Sequence, residues 1–535
     1  MIAPTDRELF WADAVARSLP ADVPHVIRDS KTPSGTVPIS SLRGPIITDA
    51  LYRTFRARGL EVRFVFTVDD YDPMDSQSMR SQEGMAEHMG KPFFAIPSPD
   101  PSATDYADYH IGRFLATFAD LGIRPEVHRT RDLYREGRFD RAIDLVLRNA
   151  AVVREIYERV ANVRRDERWF PLFVICERCG RVGTTKVTGY DGALVTYECT
   201  AEYVKGWAEG CGHRASVSPF GGRAKLPWNL EWCAKWDHFD VTYEEGGKDL
   251  LTAGGSRDRS NELYRTIWKR EPPPGLMHEF LTIGGRKMST SRPETWRDQG
   301  SAAHELVQVY PGELVRFLML RTPPHRHIEF DPAGTSLPRL MDEYDRCADA
   351  YLEDSASDLA RVWALSQLAS EPQPIAFRAR FGLIADWLQI PSIDVPREAA
   401  RRKRSPLNEL EERDLRRRSD LARVWLERWA PDEARFAVAA ALPEVARGLS
   451  AEQRAFLGRV SPEIGRLTEA EELQARLYEV AKESGLAADG KVSRDAFAAI
   501  YLAFIGKPHG PRAAWLLVTL DGAFVRGRLE EAAQA

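Results

Sequence analysis

Two stretches of the chain hold residue types suited to handling phosphate. The first, SKTPSGTVPISSLRG over 30–44, joins a short strand candidate from His25 to Ser30 to the start of a helix. Free backbone N–H groups and the helix dipole at such a junction favour an anion. Gly35 permits close backbone approach, and Ser34, Thr36, Ser40 and Ser41 carry hydroxyls that can donate to phosphate oxygens. The second stretch, GGRKMSTSRPE, offers Arg286 and Lys287 as cationic donors and Ser289, Thr290 and Ser291 as hydroxyls. A glycine-flanked loop of this make-up can close on a triphosphate and stabilise the charge that develops as it is cleaved. Taken singly, the first also reads as a plain connection and the second as a solvated basic turn. Together they make a nucleotide site the better reading.

Metal chemistry is the expectation for the cysteines. Four of the six follow the spacing C-x2-C-x19-C-x11-C, as Cys176, Cys179, Cys199 and Cys211. Four thiolates suit a closed tetrahedral Zn²⁺ site that folds a small module with little core of its own. Buried free thiols are the alternative, and His213 is a substitute ligand to weigh against Cys211. Cys233 and Cys347 stand apart and read as ordinary buried cysteines. Asp249, in GGKDLL, closes a strand candidate where a carboxylate could accept two ribose hydroxyls, or simply cap a turn.

The elements that must position these groups form an α/β pattern. After the Ser30–Gly44 loop, Ile47, Leu51 and Phe55 recur at helical spacing, with Pro45 in the first turn and Gly59 past the end. Val62, Phe64, Phe66 and Val68 then alternate as a strand that stops at an acidic turn, DDYDP. Strand, loop, helix, strand begins a parallel sheet. Residues 105–165 read as helix-rich, with stripes such as Ile143, Leu147, Ala150 and Ala151. From Trp169 to about Phe220 the chain turns to short strands, glycines and cysteines, and the α/β pattern resumes at VTYEEGGKDLL. The insertion therefore splits the sheet. Beyond RTPPHRHIEFDP the chain reads as helices only. SRDAFAAIYLAFIG has Ser493 as its cap, Gly506 as its stop, and Phe497, Ile500, Tyr501 and Phe504 on one face. The basic runs Arg401–Arg404 and Arg416–Arg418 read as exposed helix laced with ion pairs.

Composition sets the outer bounds. A chain of 535 residues exceeds one core and suggests roughly three or four domains. With 74 basic and 79 acidic residues the net charge is −5, so a polyanionic partner must be held by local basic patches. No apolar run is long enough to span a bilayer, and the N-terminal stretch lacks a signal-peptide pattern. A cytoplasmic protein is expected.

The two phosphate stretches resemble the signature motifs of class I aminoacyl-tRNA synthetases, PSGTVPISSLRG in the first position and KMSTS in the second. More closely, the chain is similar to class I lysyl-tRNA synthetases through TPSG, DDYDPMD, WAEGCGH, SPFGG, KLPWNLEWCAKW, GKD, KMSTSRPE, RFLMLRTPPHRHIEFD and GKPHGPRAAWLL, in that order. The resemblance implies an α/β fold: a Rossmann-like parallel-sheet catalytic domain split by a zinc-binding insertion, followed by an all-α anticodon-binding domain. The expected segments are 1–168 and 223–295 for the catalytic domain, 169–222 for the insertion, 296–350 for a connecting stem and 351–535 for the helical domain. It also implies ATP with Mg²⁺, structural Zn²⁺, L-lysine and tRNA(Lys), with oligomeric state open, a monomer favoured, and no membrane. Ser34, Gly35, Ser40, Asp249 and Lys287 would bind ATP, with Lys287, Ser289 and Ser291 stabilising the leaving pyrophosphate. Lysine would need an anion and apolar walls, for which Gly35, Asp70, Asp72, Glu231, Trp228 and Trp232 are candidates. Trp228, Trp232 and Trp236 equally suit a packed stripe. Lys507, His509 and Arg512 would meet tRNA.

Three positions depart from the family pattern. Pro38 stands where the first signature has a phosphate-donating histidine, and has neither side-chain donor nor N–H. Ser40 replaces the glycine against which adenine lies, and Leu250 replaces a histidine of the amino-acid pocket. Thr290 takes the place of the last lysine of the second signature, which is common in the family. The departures motivate two other readings: a paralogue that activates lysine or an analogue for a non-tRNA acceptor, and an inactive tRNA-binding protein.

Overall fold

A computed structural model of the chain describes residues 10–200, 208–283, 285–288, 302–369, 372–390, 393–488 and 491–535. The chain divides into two compact units, Met1–Phe330 with Ala350–Gln373, and Asp331–Asp349 with Pro374–Ala535.

The first unit is built on a parallel sheet of four strands in the order β3-β2-β1-β4. These are β1 (His25–Lys31), β2 (Val62–Val68), β3 (Glu126–Arg129) and β4 (Tyr243–Glu244). Helix α1 (Arg43–Ala57) crosses from β1 to β2, with Ile47, Leu51 and Phe55 buried on the sheet. Gly59 takes φ 78° just beyond its end, a conformation that costs glycine little. In β2, Phe64, Val65 and Phe66 are buried in succession, because both faces of a central parallel strand are covered. The alternation visible in the sequence described only one of those faces.

The stripe at Ile143, Leu147, Ala150 and Ala151 belongs to two helices, Asp140–Arg148 and Ala150–Ala161, that break at Asn149. Ile143, Leu147 and Ala150 are buried, whereas the break turns Ala151 to solvent.

Between β3 and β4 comes the cysteine module. Its antiparallel strands Thr185–Tyr190, Val195–Cys199 and Arg214–Val217 form one small sheet. A two-residue ladder pairing Phe173 with Lys225 and Val174 with Ala224 closes its root. Lys225 then sends its ammonium back to Glu231 at 2.7 Å and Asp72 at 2.9 Å. Leu281–Ile283 does not extend the main sheet. It forms a hairpin with Arg286–Lys287 and pairs in parallel with Ile328–Glu329 in a separate three-stranded sheet.

The helical boundary differs from the expected one at 351, since 350–373 belongs to the first unit. Buried Arg316 donates to Leu365 O at 2.6 Å, Arg53 to Gln367 O at 2.6 Å, and Arg361 pairs with Asp13. The first two bonds consume carbonyls at the end of the helix Asp358–Ser366, where helices leave acceptors unsatisfied. In the second unit, Arg494–Ile505 starts at Ser493, whose hydroxyl accepts from Asp495 N, and ends at Gly506 with φ 70°. Arg418, expected on an exposed face, is buried and clamps Asp345 and Asp414. No helix among the described residues is long and apolar enough to cross a membrane.

Candidate active site and metal centre

A cavity of about 370 Å³ opens at the carboxyl ends of β1 and β4. Strand ends are where open α/β sheets gather backbone donors and side chains from successive loops. Ser34, Ser40, Trp228, Asp249, Leu250 and Met288 all line it, so both phosphate stretches reach one space.

Local backbone bonding explains how the first loop is held. Ile39–Leu42 makes a 3₁₀ turn immediately ahead of α1, with Ser41 N donating to Pro38 O at 3.0 Å. Pro38 bridges Ala302, and Ala303 N donates to Val37 O at 2.9 Å. The loop is thereby fastened to the residues that follow the second signature. Gly35, at φ 154°, faces a neighbouring cavity lined by Tyr106 and Arg113 and is not on the main wall. Lys287 lies on the hairpin strand Arg286–Lys287; Ser289, Thr290 and Ser291 lie outside the described residues. Asp249 sits in the single helical turn Lys248–Leu251 rather than at a strand end.

The tryptophan stripe is both core and wall. On helix α2 (Trp228–Phe239), rings of Trp228 and Trp232 lie 4.6 Å apart and those of Trp232 and Trp236 5.5 Å. Trp228 and Trp232 line the cavity, while Trp236 is fully buried. Glu244 fixes the stripe from below, accepting from Trp232 Nε1 at 2.7 Å, from Trp236 Nε1 and from Arg28, with Arg257 at 3.4 Å.

Two expected substrate carboxylates lie elsewhere. Asp70 is fully buried and accepts from Arg131 N at 2.9 Å and Thr130 Oγ1 at 3.0 Å, beside the guanidiniums of Arg129 and Arg131. Burial raises its carboxyl to about 6 in spite of those partners. Glu231 is fully buried between Lys225 and Lys235, at 2.7 and 2.8 Å, and also accepts from Tyr134 at 2.8 Å. Burial opposes its charge, yet the two ammoniums hold it down to about 2. Asp72 likewise pairs with Lys225. These acids neutralise the protein's own cations, and neither Asp70 nor Glu231 lines the cavity.

Other charged groups do line it. Asp29, Lys31, Glu245 and His278 stand on the wall. Burial lowers the Lys31 ammonium to about 8 against the pull of Asp29, Asp249 and Asp69. Burial also opposes the charge on His278, but Glu245, 3.0 Å from its Nε2, raises it above the ordinary imidazole value. The pattern in RDSK gave no hint of this, though strand alternation does put Asp29 and Lys31 on one face.

The four cysteine sulfurs lie within 4.8 Å of one another. Cys176 to Cys211 is 3.5 Å and Cys179 to Cys199 is 3.7 Å. A tetrahedron with Zn–S near 2.3 Å has edges of about 3.8 Å, so the donor set and size fit zinc. His213 is turned toward Glu177, at 4.0 Å, and is not part of the cluster. Cys233 is buried and donates to Asn229 O and Ser260 O.

In the helical unit, Lys507 bonds the carbonyls of Asp432 and Arg435 at 2.9 and 2.8 Å, a structural use not anticipated for it. His509 and Arg512 are exposed, and Arg512 edges a cavity of about 190 Å³ with Asp386 and Trp515.

A serine loop ahead of a helix, opening on a cavity at the ends of parallel strands, is the build of an α/β nucleotide-binding protein. The family model for tRNA synthetases class I (K) matches residues 9–369, more than half of the chain, and the chain belongs to that family. It is 32% identical to lysine–tRNA ligase 1 of Methanosarcina acetivorans, across 98% of both chains. It is 31% identical to the lysine–tRNA ligase of Archaeoglobus fulgidus, over 98% of this chain and 100% of that one. With the lysine–tRNA ligase of Methanocaldococcus jannaschii it shares 30% identity over 97% and 98% of the two chains.

Proposed function

We propose that the protein is a lysine–tRNA ligase that joins lysine to ATP as lysyl-adenylate, releases pyrophosphate, and passes the lysyl group to the terminal adenosine of tRNA(Lys). Similarity to lysine–tRNA ligases along nearly the whole of both chains carries this reading. In it, ATP enters with Mg²⁺ at the cavity beside Ser34 and Ser40. Asp249 receives the ribose, and Lys287 with Ser289 and Ser291 stabilises the departing pyrophosphate. Trp228 and Trp232 flank the lysine stem, and the 2′-hydroxyl of the tRNA terminus attacks the adenylate.

Zinc in the Cys176, Cys179, Cys199 and Cys211 cluster would hold the inserted module folded and take no part in the reaction. His509 and Arg512 are the residues of the helical unit offered to tRNA. The protein works in the cytoplasm in this reading.

Pro38 favours a second reading, activation for a non-tRNA acceptor or binding without catalysis, because it supplies no donor at a position where one stabilises the transition state. Loss of one such donor slows a reaction by about 10²–10³-fold and does not by itself abolish it. The test is lysine-dependent ATP–pyrophosphate exchange followed by charging of tRNA(Lys). Exchange with charging is expected; exchange without charging would move the assignment to another acceptor, and no exchange with any amino acid would leave a binding protein.

A further inference from the structure

We propose that Asp29 and Glu245 together receive the cationic end of the amino-acid substrate. The inference rests on the ligase reading and names the residues that would set its specificity.

The strand register brings the two acids together across a long stretch of sequence. Ile27 pairs with Tyr243 and Arg28 with Glu244 in the parallel β1–β4 ladder, so the residues that follow, Asp29 on β1 and Glu245 just past β4, emerge side by side. Both line the cavity. They converge at the first turn of α1: a Cβ placed on Gly44 would lie 2.9 Å from Glu245 Oε1 and 3.0 Å from Asp29 Oδ2. Glycine at this position leaves both oxygens room that any side chain would take.

Neither acid is neutralised by hydrogen-bonded cations as completely as its neighbours are, although the Lys31 ammonium on the same wall is drawn by Asp29. Asp29 Oδ1 accepts from Ser30 N at 2.6 Å, while the buried Oδ2 has no hydrogen-bond partner among the described residues. Glu245, 5% exposed, faces His278 only through Oε2. The closest arginine of α1, Arg43, is spent on the carbonyls of Glu279 and Arg326, at 2.6 and 2.9 Å. Among the other cavity acids, Glu244 is saturated by indoles and guanidiniums, and Glu279 pairs with Lys248 at 2.7 Å. Burial, followed by the adjacent Glu245, pushes the Asp29 carboxyl well above the ordinary range. Two crowded acids of this kind are relieved by a cation between them.

The sign of the charge identifies the ligand. A triphosphate gains nothing from a second pair of acids, whereas a primary ammonium has three donors for converging carboxylate oxygens. Trp228 and Trp232, on the same cavity, offer apolar surface for a methylene stem. The ligand class is thus an amino acid with an ammonium at the end of an aliphatic side chain. Mg²⁺ is the competing cation.

The test measures pyrophosphate exchange and calorimetric binding, with L-lysine and with uncharged norleucine, for the wild-type chain, Asp29→Asn and Glu245→Gln. Each variant should raise the KM for lysine by about 10- to 100-fold, the range of a lost charged hydrogen bond, with KM for ATP and the Mg²⁺ optimum unchanged. The preference for lysine over norleucine should shrink by the same factor. Unchanged lysine KM and preference would overturn the proposal, as would a displaced Mg²⁺ requirement in their place. Should the wild-type chain bind lysine without exchange, and the variants lose that binding, the ligase reading fails and this inference stands. Failure of the wild-type chain to bind lysine at all removes both.

Discussion

Glu244 is the carboxylate whose loss should be felt most widely, because four donors depend on it. It is 3% exposed and faces Arg28, 1% exposed, and Arg257, 6% exposed, together with the indole N–H groups of Trp232 and Trp236. Glu244→Gln keeps the shape and one acceptor but removes the charge. Two buried guanidiniums then lack their counter-ion, which costs about 3–5 kcal/mol when one partner of a buried pair is removed. Glu244→Ala also strands two indole donors at about 1–3 kcal/mol each, reaching the 5–15 kcal/mol that holds a whole domain together. The alanine variant should fail to accumulate as folded protein. Because the chain has two compact units, one global unfolding curve would mix their signals. Hydrogen exchange of the peptide spanning Trp228–Phe239 reads the affected region directly. In the glutamine variant its protection should fall by roughly 10²–10³-fold. A fall of less than about tenfold would mean that the guanidiniums find water or other partners, and the reasoning from burial would be wrong.

Two further outcomes follow from the metal module and the helical unit. Chelation of zinc, or Cys199→Ser, should release protease cleavage within 175–217 while leaving the β1–β2 region protected; a variant that retains full zinc content by atomic absorption and wild-type cleavage would contradict the tetrahedral site. In the helical unit, burial pushes the Asp386 carboxyl up to about 7, with Arg512 partly offsetting it. A carboxylate raised on folding costs stability as pH climbs from about 4, its unfolded value, through 7, and the cost is complete above that. Asp386→Asn should therefore raise the urea midpoint of this unit at pH 8 and leave it unchanged at pH 4; an equal gain at both would point to packing instead.

How much of the fold and site is legible in the sequence depends on the range of the interaction. The strand, loop, helix and strand of residues 25–68 were legible because alternation, helical spacing, Pro45 and Gly59 act within a few residues. The convergence of the four cysteines was legible because thiolate chemistry is specific and C-x2-C is a local turn. The carboxylates were not. Asp70 and Glu231 looked available in sequence, but their partners come from Arg129, Arg131, Lys225 and Lys235, and only tertiary placement reveals that they are used. Asp29 and Glu245 were missed for the converse reason. Their neighbourhood exists only through the register that pairs Arg28 with Glu244, 216 residues away. The helical boundary was misplaced because Arg316 and Arg53 reach across to Leu365 and Gln367. Hydrogen bonds of that span leave no periodic trace.

The two-residue clasp at the root of the cysteine module defines where that module can be exchanged. A swap made outside Val174 and Ala224 would carry off Lys225, and Glu231 would be left with one ammonium in place of two. A swap made inside the clasp keeps both. The module is therefore a replaceable cassette whose cut points are set by a lysine belonging to the host, and lineages that trimmed or enlarged it would be expected to keep that cation while everything beyond it drifted.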